Sequence, residues 1–183
     1  MKKVEHGKTF DRNAANPPAF EIFHNTVTEG YPEHWHTAIE IIMPTRGEYE
    51  VVVGKDSYNL KEGDIIMINS GVVHGMRFVS QGERIVMLVE PGCVENQEEM
   101  ETIFLRLPAI YFKKEDEEDP FYLFLRSQIL ELVREYDNEG AVMTHRICTG
   151  LKELFSEFGR KGFSDANAQN TFLSLIHISE PTR

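Results

Sequence analysis

Cysteine is scarce in this chain of 183 residues, which has two, Cys93 and Cys148. Two thiols so far apart in sequence give no disulfide framework. Positive charge is scarce too: 19 Lys and Arg stand against 30 Asp and Glu, for a net charge of −11. A chain that holds the nucleic-acid backbone displaces counterions with Lys and Arg, so this segment alone is not expected to grip duplex DNA. No apolar run reaches the length of a membrane span, and the opening residues Met1 to Lys8 lack the hydrophobic stretch of a signal peptide. Internal repeats and low-complexity tracts are absent as well. The 41% of hydrophobic and 27% of charged residues that remain describe an ordinary soluble globular protein. The cytoplasm is the expected compartment, and the length suits one domain with a substantial core, or one domain with an appendage.

Residues 30 to 76 carry the chemistry. They contain Gly30, then His34-Trp35-His36, Glu40, Gly47, Gly63-Asp64, and Asn69-Ser70-Gly71-Val72-Val73-His74. Side chains two apart on a strand share a face, so one extended segment aims His34, His36 and Glu40 the same way. His74 arrives later, after two more strand-like runs. Three imidazoles and a carboxylate make the donor set of a divalent metal site with open positions, for Zn, Mn, Fe or Ni. The same four residues also suit a polar floor for a small molecule, and the residues alone leave both readings open. Trp35, of opposite parity, is expected to point outward. His24 either faces the cavity or pairs with a neighbour.

The pattern HxHx3Ex6G, followed by GD and by NSGVVH, resembles the two cupin motifs. Its flavour, with HWH, GEYEVVVG, YNLKEGD and INSGVVH, resembles the N-terminal sensor half of AraC-type transcription regulators. Three positions depart from the general pattern: three residues instead of five separate Gly30 from His34, Asn69 stands in place of Pro, and Phe78 in place of Asn. None removes a donor. The resemblance implies a mostly β chain, a cupin double-stranded β-helix or jelly-roll barrel, followed by an α-helical hairpin that dimerises.

The punctuation of the chain fits that expectation. Residues 1–18 read as a polar arm ending in Asn-Pro-Pro. Short strands are predicted at Phe20–His24, Ala38–Met43, Tyr49–Val53, Ser57–Leu60, Asp64–Ile68, Val72–Val79 and Arg84–Val89, with turn residues between them. A short helix over Glu98–Leu105 and an extended piece over Ala109–Phe112 close a barrel spanning 19–112. Asp119-Pro120 opens a helix whose apolar stripe runs Leu125, Ile129, Leu132, Val133, Tyr136. A second helix carries Met143, Ile147, Leu151, Leu154, Phe155 and Phe158 and is expected to end at Gly159 and Gly162, giving a hairpin over 118–162. One stripe is expected to cover the barrel and the other to meet a second copy of the chain.

Residues 163–172 read as a linker. The last eleven, 173–183, match the in-frame translation of a transposase-type sequencing adapter, so the native protein is expected to continue beyond Phe172. His177 is therefore not counted as a ligand. The implied function is the effector-sensing and dimerising half of an AraC-type regulator. It would bind a small molecule at His34, His36, Glu40 and His74 and reach DNA only through a separate half. The alternative is a stand-alone metal-dependent cupin enzyme, a dioxygenase or isomerase.

Overall fold

A computed structural model describes residues 19–26, 30–93, 108–114, 119–138 and 142–164. Nine strands run in order: β1 (Phe20–Asn25), β2 (Tyr31–His34), β3 (Ile39–Arg46), β4 (Tyr49–Val53), β5 (Asp56–Leu60), β6 (Ile65–Ile68), β7 (His74–Phe78), β8 (Glu83–Val89) and β9 (Ala109–Phe112). Two helices follow, α1 (Pro120–Asp137) and α2 (Met143–Ser164). The strands form two sheets, β1-β8-β3-β6-β9 and β2-β7-β4-β5, with antiparallel neighbours throughout. This is a two-sheet β-barrel followed by a helical hairpin, the architecture the sequence implied.

Alternation along the strands explains how both layers are held. In β3, Ile42 packs between the sheets with Val51, Ile66 and Met76. Its neighbours Ile41 and Met43 point the other way, against the helices. The same split separates Ile66 and Ile68 from Ile65 and Met67 in β6. A strand covered on both faces reads as a continuous apolar run, which is why β3 and β6 look unpatterned in sequence. β4 has one face half-exposed and alternates cleanly, with Tyr49, Val51 and Val53 buried and Glu50 and Val52 only partly so. Gly54 and Lys55 form the two-residue loop between β4 and β5, with Gly54 at φ 59°. The methionines Met67, Met76 and Met87 are buried core residues, as expected.

The helix start is as the sequence predicts. The Asp119 side chain accepts a hydrogen bond from the Phe121 N–H at 2.8 Å, with Pro120 at the first position. Tyr122, fully buried, donates to the Gly63 carbonyl at 2.8 Å and ties α1 to the turn before β6.

Three expectations need correction. The stretch from His34 to Glu40 is not one extended segment: β2 ends at His34 in the smaller sheet, and β3 begins at Ile39 in the larger. Helix α2 does not stop at Gly159 and Gly162 but runs to Ser164, past the predicted hairpin end and into the predicted linker. A glycine inside a helix costs only about 1 kcal/mol and does not terminate it alone. Finally, the two helical stripes are not divided between barrel and partner. Leu125, Ile129 and Leu132 of α1 and Ile147, Leu151 and Leu154 of α2 are all buried in one core with the outer face of the five-stranded sheet. Gly150 serves that packing: a Cβ there would lie 2.9 Å from Leu132 Cδ2. The arm, the predicted helix over Glu98–Leu105, residues 165–172 of the linker and the 173–183 tail lie outside the described residues.

Candidate functional site

The four predicted residues come together at one end of the barrel. His34 closes β2 and lies directly opposite His74, the first residue of β7. His36 sits in the turn leading to β3, and Glu40 projects inward from β3 on the same face as Ile42. The convergence therefore uses three strands from both sheets, and the turn, rather than single-strand parity, brings His34 and His36 to Glu40. The second motif helps to fix that turn, because the Gly71 N–H donates to the His36 carbonyl at 2.8 Å. Gly71 has φ 73°, a left-handed conformation that suits glycine.

The donor atoms of the four side chains all lie within 4.8 Å of one another. Glu40 Oε2 is 2.9 Å from both His36 Nε2 and His74 Nε2. The other ring nitrogen of each histidine faces a backbone carbonyl: His36 Nδ1 faces Ala38 at 3.0 Å, His74 Nδ1 faces Val72 at 2.8 Å and His34 Nδ1 faces Pro32 at 2.9 Å. A carbonyl only accepts, so each Nδ1 carries a proton, and each Nε2 is turned toward the shared centre. His36, Glu40 and His74 are buried, whereas His34 is exposed and marks the mouth.

Burial alone would raise the Glu40 carboxyl. Hydrogen bonds from His36 and His74, with the charges of those rings, outweigh burial and hold the group down at about 2. His74 moves the opposite way. Burial disfavours its charge, but the hydrogen bond and charge of Glu40 and the Val72 carbonyl raise it above its ordinary value. A buried carboxylate between two imidazoles needs positive charge, either as imidazolium or as a divalent cation. The donor set fits the cation: three imidazole nitrogens with oriented Nδ1 protons, and one carboxylate. Two ligands at right angles, each about 2.1 Å from an ion, lie about 3.0 Å apart, close to the Glu40 spacings. Four protein donors leave positions open for water or a small molecule.

Other predicted residues stay outside the cluster. Trp35 is exposed, as its parity implied. His24 shares the parity of the helix-facing Ile22 on β1, and its Nε2 lies 3.9 Å from Glu83 Oε2, beyond hydrogen-bond distance. The motif carboxylate Asp64 is a clamp: it accepts from the Lys61 and Lys114 N–H groups at 2.9 and 2.8 Å and from the Tyr111 hydroxyl at 2.6 Å. Sequence reasoning missed Arg84. This fully buried side chain on β8 has its guanidinium 4.8 Å from the Tyr49 ring centre and 5.9 Å from that of Tyr31. Its parity with Val86 and Leu88, opposite to the helix-facing Ile85 and Met87, was the signal that could have placed it.

Residues 25–90 match the cupin domain family. In fold, the chain resembles a ToxT variant from Vibrio cholerae at a TM-score of 0.55, with 13% identity over 92% of this chain and 68% of that one. That span takes in the hairpin as well as the barrel. An AraC-like transcriptional activator, CuxR, aligns at 9% identity over 65% of this chain and 41% of that one, with a TM-score of 0.48. The DMSP lyase DddQ from Ruegeria pomeroyi aligns at 22% identity over 50% of this chain and 41% of that one, with a TM-score of 0.34. No curated protein sequence matches. The likeness to the ToxT chain is one of fold.

Proposed function

We propose that this chain is the effector-sensing half of an AraC-type transcription regulator, with a small molecule bound in the barrel at His34, His36, Glu40 and His74. One observation carries the reading. Strand β3 holds Glu40 and Ile42 on its inner face and Ile41 and Met43 on its outer face, where both helices pack. A ligand that favours one placement of β3 therefore biases the hairpin, which is population shift through a shared element. Which cation, if any, the donors hold is part of the proposal: Zn, Mn, Fe or Ni suits the imidazole-rich set. When bound, such an ion would supply Lewis acidity and a fixed charge for an anionic or chelating effector. His36 and His74 would stay oriented by their carbonyl partners, and His34 would remain at the mouth.

In this reading the polar arm of 1–18 and the linker of 163–172 flank the sensor, and DNA is contacted through a half outside this chain. The homodimer forms through the hairpin, using Leu123 and Leu130, which stay exposed on α1. No described helix is long and apolar enough to cross a membrane, and the proposed setting is the cytoplasm. The experiment is retention of promoter DNA by the gene product read through codon 172, with and without candidate effectors. Effector-dependent retention supports the regulator. A second reading, a metal-dependent cupin enzyme such as a dioxygenase or isomerase, is favoured by the donor geometry. Turnover by the metal-loaded chain, together with absence of DNA retention, would establish that reading instead.

A further inference from the structure

The two cysteines, remote in sequence, are neighbours in the fold. Cys93 ends the 3-10 turn Pro91–Cys93 that follows β8, and Cys148 lies on α2. Their sulfurs are 3.5 Å apart, and both side chains are half-buried. The turn is anchored by the Cys93 N–H, which donates to the Glu90 carbonyl at 2.9 Å. The thiol itself packs against the core shared by sheet and helices. Disulfide sulfurs lie about 2.05 Å apart, so these two have about 1.5 Å left to close.

We infer that Cys93 and Cys148 are a reversible dithiol–disulfide pair that staples α2 to the end of the barrel, with a low-molecular-weight disulfide as oxidant. In the first step, a protein sulfur attacks one sulfur of the small disulfide as the thiolate, forms a mixed disulfide and releases one small thiolate. In the second, the neighbouring protein sulfur loses its proton, attacks the mixed disulfide, forms the Cys93–Cys148 bond and displaces the second small thiolate. The protein loses two protons and two electrons, and the small disulfide, gaining both, becomes two thiols. Burial, the Cys148 hydrogen bond and the Cys148 charge push the Cys93 thiol up to about 11, while Lys152 works the other way. Cys93 is thus held as a thiol at neutral pH, which protects it from over-oxidation when no partner disulfide is present. The bridge would tie the strand end to the hairpin covalently, whatever ligand the barrel takes, so the inference stands apart from the sensor reading.

The test uses the full chain, treated with oxidised glutathione in native buffer, acid-quenched and read by intact mass, thiol titration and peptide mapping. The expected result is loss of both titratable thiols, a mass lower by two hydrogens, one Cys93–Cys148 linked peptide, and full reversal by dithiothreitol. The bridged form should melt several degrees higher than the reduced form, as expected for a cross-link that closes a long loop. Cys93→Ser should instead retain a glutathione adduct on Cys148 and show no such rise. Two thiols persisting after treatment would overturn the inference. So would glutathione adducts on both without a bridge, a link between two chains, or a bridge that forms only in denaturant.

Discussion

Glu40 Oε2 accepts from His36 and His74 at 2.9 Å inside a barrel that gives a carboxylate little water. Its folded pKa of about 2 lies below the ordinary 4.5. It therefore contributes stability that is present above about 4.5 and lost as pH falls toward 2, on the order of 3 kcal/mol at most. His74, raised, contributes in the opposite sense: its share is present below 6.5 and lost as pH rises through its folded value. In chelator-treated protein, melting temperature against pH should fall through the acid window, and Glu40→Gln should flatten that limb. An unchanged acid limb in Glu40→Gln would show that the carboxylate is not the stabilising partner. A companion prediction concerns metal: His36→Ala should abolish stoichiometric Zn, Mn, Fe or Ni by elemental analysis and remove any metal-induced rise in melting temperature. At this scale the convergence was legible in the motif spacing: all four residues meet. Arg84 and the cysteine pair were not legible, because their neighbours come from distant segments and no local spacing encodes them.

The helices differ from expectation in what they touch, and the cause is physical. A helical stripe read from sequence shows that a face is buried but not what buries it. The same stripes that suggested a subunit interface lie against Ile41, Met43 and Ile65 of the sheet's outer face. Leu151→Ala should accordingly cost about 2–5 kcal/mol, seen as a lower urea midpoint. Leu151→Glu should unfold the chain rather than release a monomer. Any dimer through the hairpin uses the exposed Leu123 and Leu130. Leu123→Glu with Leu130→Glu should then give a folded monomer by light scattering at tens of micromolar, a range that reports weak association. If that double variant keeps the mass of the unaltered chain, the hairpin face is not the interface. Strand β2 escaped the sequence reading for another reason. Only four residues long and exposed at each position, it carries no apolar alternation to announce itself.

Among the described residues, β3 is the one strand whose inner face holds a cluster residue, Glu40, and whose outer face meets the helix core. The fold class and the order of barrel and hairpin were readable from turn residues and from the switch from period 2 to period 3.6. The allotment of strands to sheets was not, since sheet order depends on pairings between distant segments. With a net charge of −11, the chain alone should show no retention of duplex DNA at moderate salt in a gel-shift titration. The most direct test of the central claim, that the barrel site and the hairpin communicate through β3, is hydrogen–deuterium exchange of the full chain with and without added Zn, Mn or Ni, beside His36→Ala. The account predicts slower exchange in peptides covering β3 and both helices on metal addition, and no change in His36→Ala. Slower exchange confined to residues around His34 and His74, with the helices unaffected, would contradict it.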